Sequence, residues 1–283
     1  MPEFFYNVFV VDPKMQPVGY VPLNRLFRHS NKTKLTKITE KTVHAIPATM
    51  DQEDVAFLFR KYALVSAPVV DDGGRIIGII TVDDVVNVIE EEATEDFMHL
   101  GGVADSDIHS SALTTYYNRF RWLFVTFINT LIASAVISHF QDALEEIVVL
   151  AVLMPIVAAM GGNAGMQAVT VTVRALATKS IVPSNITRVI LKEVAVGGIL
   201  GITFAAMLAT LAALWTGNIV LGLVLAAAMT FNTLWAAFAG TIFPIVIDKL
   251  KLDPAVAAGP LLTTTTDVLG FASFLGLARW ILL

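Results

Sequence analysis

The chain contains no cysteine, which excludes disulfides and thiolate metal sites. It also lacks a basic cluster, and its net charge of −5 argues against a nucleic acid partner. No signal peptide is legible at the N-terminus. The apolar run there, Phe4 to Val11, is short, follows Glu3 and has no basic flank. Charge becomes scarce beyond about Arg121. What the chain has in quantity is apolar surface: 55% of its residues are hydrophobic and the mean hydropathy is +0.70. An ordinary soluble enzyme is not so apolar. The uneven charge predicts a soluble N-terminal part followed by a membrane part.

The soluble part holds an internal repeat. Phe9-Val10-Val11-Asp12 matches Pro68-Val69-Val70-Asp71, and seven residues after each Asp comes a glycine, Gly19 or Gly78. A period of about 59 residues is too long for a solenoid and suits a duplicated α/β module. In the second copy Val43 to Ile46 reads as a strand. Thr49-Met-Asp-Gln52 reads as a capping box opening a helix to about Tyr62. Ala67 to Asp71 and Arg75 to Thr81 read as a hairpin around Asp71-Asp-Gly-Gly74, with a second helix starting at Thr81. The first copy lacks the opening strand and helix.

This pattern resembles a tandem cystathionine-β-synthase (CBS) domain pair, a regulatory module. Gly78-Ile-Ile-Thr81-Val-Asp-Asp84 matches the segment with which such domains hold an adenosine ribose, which implies ATP at Thr81 and Asp84. A plain helix N-cap at Thr81 is the other reading. In the first copy Pro22 and Arg25 stand at those positions.

Between the two parts runs Glu90-Glu-Glu-Ala-Thr-Glu-Asp96, followed by Gly101-Gly102, Asp105 and Asp107, with no Lys or Arg from Glu90 to Asn118. A helix puts Glu92, Glu95 and Asp96 on one face. Like charges so placed repel unless a cation neutralises them. A loose carboxylate cluster suits a hard ion such as Mg2+, which keeps several waters. A solvated charged helix is the alternative.

Five apolar stretches follow, about Trp122–Phe140, Ile147–Ala177, Val194–Trp215, Val220–Ile247 and Ala255–Leu283, each long enough to cross a bilayer. Arg119, Arg121, Arg174, Lys179, Arg188, Lys192, Lys249 and Lys251 all fall on one side if the N-terminus is cytoplasmic, with the C-terminus outside. Arg279 and Trp280 then read as outer anchors.

Asp267 stands in the middle of the last stretch. A carboxylate at mid-membrane depth costs roughly 2.5–3.5 kcal/mol even on lenient scales. Such a residue faces a cavity, a pore or a partner charge, or else packs between helices by hydrogen bonding to Thr263 or Thr264. The second stretch carries Gly161-Gly-Asn-Ala-Gly-Met-Gln167. Glycines here permit either unwound carbonyls lining a wet cavity or a close helix seam. Asn163 and Gln167, four apart, share a helical face. Amides, hydroxyls and one carboxylate suit a hydrated cation, and a two-fold axis bringing two Asp267 together matches a divalent charge.

With the CBS repeat, the acidic connector, the five spans, Pro155 before Gly-Gly-Asn-x-Gly-x-Gln, and the late Asp253-Pro254 and Thr266-Asp267, the chain is similar to the MgtE family of magnesium channels and transporters, without that family's helical N-terminal domain. The implied fold class is mixed: a cytoplasmic α/β CBS-domain region followed by an all-α membrane domain of five transmembrane helices. The expected boundaries are 1–38 (partial first CBS module), 39–88 (second), 89–118 (acidic connecting plug helix) and 119–283 (membrane domain).

The resemblance implies a homodimer in the inner (plasma) membrane that admits Mg2+ to the cytoplasm. The implied pore residues are Asp267, Asn163, Gly165, Gln167 and Thr263, the last through its backbone. It also implies gating by intracellular Mg2+ through Asp84, Glu92, Glu95, Asp96 and, more loosely, Glu53. An ion-coupled exchanger and a membrane-embedded sensor without conduction stand as alternatives. An enzyme is not expected: intramembrane aspartyl chemistry needs two close carboxylates, and only Asp267 lies deep.

Overall fold

The computed structural model describes residues 5–30, 32–103 and 110–283. Glu3, Phe4, Asp105 and Asp107, which entered the sequence reading, lie outside them. Two compact units divide between Thr94 and Glu95.

The first unit runs β1 (Asn7–Val11), β2 (Pro17–Pro22), α1 (Leu23–Phe27), β3 (Ile46–Pro47), α2 (Gln52–Tyr62), β4 (Ser66–Val70), β5 (Ile76–Thr81) and the start of α3 (Val82–Leu100). β1 and β2 form one antiparallel pair. β4 joins β5 antiparallel and β3 parallel. The repeat is a structural duplication in detail. Val10 faces Gly19 and Val69 faces Gly78, and each hairpin shifts register at the next residue, Val11 or Val70. Each turn is built on one aspartate. Asp12 Oδ1 accepts the backbone N–H groups of Lys14 (2.8 Å) and Gln16 (2.9 Å), and Asp71 Oδ1 accepts those of Gly73 and Arg75 (both 2.9 Å). The left-handed turn position is Met15 (φ 64°) in one copy and Gly74 (φ 73°) in the other. The matching positions Asn7 and Ser66 bond each other at 3.0 Å, so the two hairpins touch at equivalent residues.

Three expectations are corrected. The strand over Val43–Ile46 is confined to Ile46–Pro47. α2 is capped by Asp51, whose Oδ1 accepts the Glu53 N–H at 2.9 Å, and not by Thr49. The Met50 N–H closes a turn onto the Pro47 carbonyl at 3.0 Å, which holds Thr49 outside the helix. The connector is no separate element. No glycine or proline interrupts Val82 to Leu100, so the boundary drawn at 88/89 falls inside one continuous helix. That helix stops at Gly101-Gly102, where Gly102 takes φ +68°.

The second unit contains α4 (Ala112–His139), α5 (Gln141–Glu146), α6 (Val149–Ala177), α7 (Ile186–Thr216), α8 (Ile219–Lys249) and α9 (Pro254–Leu282). α4, α6, α7, α8 and α9 are the five helices long and apolar enough to cross a membrane. α4 starts earlier than the apolar run because Ser111 caps it, accepting the Thr114 N–H at 3.3 Å. The 118/119 boundary therefore lies within α4. α8 is central and packs on α6, α7 and α9, and α4 lies on α9. α6 is helical throughout Gly161–Gly165, so the glycines act by permitting close approach and not by unwinding. Gly165 meets Leu262, and Gly259 meets the Met166 methyl. Rising numbers on α6 thus meet falling numbers on α9, as antiparallel neighbours require.

Candidate functional site

Two apolar clusters occupy the ends of the α6–α8–α9 core. One gathers Leu153, Leu225 and Phe274, the other Val169, Ala239 and Leu262. The layer between them is polar: Asn163 and Gln167 on α6, Asn232 and Thr233 on α8, Thr266 and Asp267 on α9. The helix register brings these groups to one level. Gly161 and Gly270 both abut Asn232, while Gly165 abuts Leu262. Asn163 therefore lies level with Thr266 and Asp267. At about 1.5 Å per residue, Asp267 is about 20 Å from either end of α9, which is mid-membrane depth.

Asp267 is half-buried and makes no hydrogen bond or ion pair among the described residues. The Thr263 hydroxyl donates to the carbonyls of Gly259 and Pro260, both at 3.2 Å, and the Thr264 hydroxyl to Pro260 at 2.6 Å. Neither threonine donates to the carboxylate. Asn163 and Gln167 are exposed on the face of α6 opposite the buried Gly161 and Gly165. Amides at this depth in one chain cannot face hydrocarbon unpaired without a cost of several kcal/mol each. They need water or protein before them.

Of the other expected pore groups, Gly165 is buried in the helix seam and does not share the amide face. The Thr263 carbonyl accepts the Thr266 hydroxyl at 3.1 Å. Two intramembrane amides escaped the sequence reading. Asn232 is wholly buried, and Asn129 on α4 donates to the Pro260 carbonyl at 3.3 Å. Their only signal was an amide in an apolar run.

The expected regulatory acids are spread out. No three His, Asp or Glu side chains among the described residues converge into a group able to hold a metal. Asp84 and Asp96 stand twelve residues, more than three turns, apart along α3. The Glu92 carboxylate accepts from Gln52 at 2.5 Å, beside Glu53 in the first turn of α2. Glu95 lies 3.9 Å from His99. His99, also unforeseen, meets the Asp253 carboxylate at 3.0 Å. Asp253 is the N-cap of α9, taking the Ala255 N–H at 2.7 Å, with Pro254 at the first helical position. The last turn of α3 is thereby tied to the cap of the helix that carries Asp267.

Thr81 donates from its backbone N–H (3.2 Å) and its hydroxyl (3.0 Å) to one Asp84 oxygen. These two engage each other as a helix cap. A cleft of about 290 Å³ does open in the first unit, lined by Asn7, Tyr20, Pro22, His44, Tyr62 and Ser66 among others, with Thr81 and Asp84 not on its wall. The His44 and Tyr62 rings stack there at 4.0 Å. In the first copy Arg25, at the place of Asp84, pairs instead with Glu40 at 2.6 Å.

Comparison with known proteins gives the following. Residues 154–277 match the MgtE family model, described as divalent cation transporter. Residues 35–91 match the CBS domain. The chain is 34% identical over 277 residues to the magnesium transporter MgtE of Bacillus subtilis, covering 98% of this chain and 61% of that one. It is 35% identical over 283 residues to the magnesium transporter MgtE of Thermus thermophilus, covering 99% and 63%. The chain thus spans just over three fifths of the length of these curated relatives. Among solved structures, the soluble part of a magnesium transporter matches at 38% identity over 33% of this chain and 36% of that one, with TM-score 0.32. The cytosolic domain of the Mg2+ channel MgtE in complex with ATP matches at 38% identity over 30% and 35%, with TM-score 0.29.

Proposed function

This chain belongs to the MgtE family, and on that premise we propose that it is a homodimeric, Mg2+-selective channel of the inner (plasma) membrane. Mg2+ enters the cytoplasm down its electrochemical gradient. The observation that carries this reading is the mid-depth layer: Asp267 without a hydrogen-bond or ion-pair partner among the described residues, level with the exposed amides of Asn163 and Gln167. A second copy facing this layer would place two carboxylates and four amides around one path. Mg2+ dehydrates reluctantly and keeps its waters. The amides would hydrogen-bond that water shell while the two carboxylates match its charge.

The test is uptake of Mg2+ into liposomes holding the purified protein, with membrane potential as the only driving force. Uptake without a proton or Na+ gradient supports the channel. Uptake only with such a gradient replaces it by an exchanger. No uptake under any gradient with the internal solution free of Mg2+, where the gate stands open, leaves a sensor.

Gating by intracellular Mg2+ belongs to the same reading. The acids of α3 repel their counterparts in a dimer until Mg2+ screens them, and the His99–Asp253 contact passes the position of α3 to the cap of α9. The variant Glu92→Gln with Asp96→Asn removes two of those charges per chain. It is expected to shift the internal Mg2+ concentration that closes the pore by roughly tenfold, the scale of losing outer ligands. An unchanged dose response removes Glu92 and Asp96 from sensing. An adenosine nucleotide is assigned to the 290 Å³ cleft, with the His44–Tyr62 ring stack on its wall, and not to Thr81 and Asp84, which lie off that wall. Tyr62→Ala is expected to weaken ATP binding measured by calorimetry, with Thr81→Ala leaving it unchanged.

A further inference from the structure

Asn232 sits wholly buried in the middle of α8. Its amide nitrogen donates to the Val157 carbonyl of α6 at 3.0 Å. Its amide oxygen is buried without a hydrogen-bond partner among the described residues. Two glycines make room for this side chain, one on each neighbouring helix. A methyl group on Gly161 of α6 would overlap the amide nitrogen, and one on Gly270 of α9 would stand 2.7 Å from it. Gly161 precedes Asn163 by two residues, and Gly270 follows Asp267 by three.

Packing alone does not account for an amide here. A buried polar atom left without a partner costs roughly 1–3 kcal/mol, and a valine would fill similar space without that cost. The buried hydroxyls of Thr233 and Thr266 bond carbonyls of their own helices. Asn232 alone among these reaches across to another helix. It does so between the two helices that carry the candidate pathway groups, at the level of those groups.

We propose that Asn232 is a positioning residue for the ion path. Its amide, wedged between Gly161 and Gly270 and anchored to the Val157 carbonyl, sets the spacing of α6 and α9. That spacing fixes the separation between Asp267 and the Asn163–Gln167 amides. A path that recognises an ion by its water shell depends on this separation. The amide therefore acts on affinity and selectivity without touching the ion. This inference rests on the channel reading above.

The experiment measures Mg2+ uptake by proteoliposomes across a range of Mg2+ and with Ca2+ as competitor. Asn232→Ala is expected to raise the half-saturating Mg2+ concentration roughly tenfold, as loss of an outer positioning partner does, and to weaken the preference for Mg2+ over Ca2+. Asn232→Val keeps the volume and removes the unpaired oxygen. It is expected to melt no lower than the wild type and yet show the same shift. Gly161→Ala alone is expected to lose folded protein. The double variant Gly161→Ala/Asn232→Ala regains the fold, because the amide has gone, and keeps the shift. Wild-type half-saturation and selectivity in Asn232→Val overturn the inference and leave Asn232 an ordinary core amide. If the wild type conducts, Asp267→Ala does not, and the Asn232 variants match the wild type, this inference fails while the channel stands. A wild type that conducts nothing overturns both.

Discussion

Asp267→Ala is expected to reduce potential-driven Mg2+ uptake by about two orders of magnitude, the scale of removing one preorganised charge from a low-dielectric site. The same substitution is expected to leave the melting temperature in detergent unchanged or higher. The two effects part for a structural reason. The carboxylate is half-buried and bonded to nothing among the described residues, so its removal breaks no internal contact and relieves a charge held at mid-membrane depth. For a passing divalent ion the loss is of another kind. In a dimer each substitution counts twice, and the path loses both negative charges where water is scarcest. Asp267→Asn separates charge from shape: the side chain remains and can still bond water, yet uptake is expected to fall nearly as far. Uptake equal to the wild type in both variants would take Asp267 off the path. Loss of the folded dimer in both would make it a packing residue despite its missing partners.

The duplication of the N-terminal unit was legible because local chemistry made it so. An Asx turn, a left-handed position and a bulge are each determined within a few residues, so a matching sequence yields a matching hairpin. The five long helices were legible from apolar length alone. Their ends were not, since Ser111 and Asp253 cap helices well before, or just before, the apolar runs begin. The connector read as a separate region because its charge differs from that of the module before it. Charge does not end a helix, and α3 runs on to Gly101.

At the candidate site the sequence showed which residues are polar but not which way they face. Asn163, Gly165 and Gln167 lie on one short motif, yet the amides are exposed and Gly165 is buried. The helical period puts them on different faces, and only the position of α8 and α9 decides which face is the core. Asn232 was illegible for the same reason. The contact between His99 and Asp253 joins residues 154 positions apart, a pairing that no local pattern encodes. What the sequence did mark, a lone carboxylate in an apolar run, survives because its meaning comes from depth and needs no neighbour.

The seam that turns the amides outward can be tested by its glycines. A methyl group added at Gly240 on α8 would lie 2.5 Å from the Gly165 carbonyl oxygen and 3.0 Å from the Ala168 methyl. Both obstacles are fixed to the backbone of α6, so no rotamer change relieves them, and the helices must part. Overpacking of this kind costs about 1–3 kcal/mol. The parting also loosens the dispersion contacts along α6 and α8. Gly240→Ala is therefore expected to lower the melting temperature and the yield of folded protein, and Gly240→Val more so. Gly162 supplies the control within the same glycine-rich motif. A methyl there meets nothing within 4 Å, and replacing glycine by alanine in a helix gains roughly 0.5–1 kcal/mol. Gly162→Ala is expected to melt at or above the wild-type temperature. Thermal unfolding followed by size-exclusion in detergent separates the outcomes. If the two glycines respond alike, the α6–α8 seam does not depend on close backbone approach, and the outward direction of Asn163 and Gln167 must be set elsewhere.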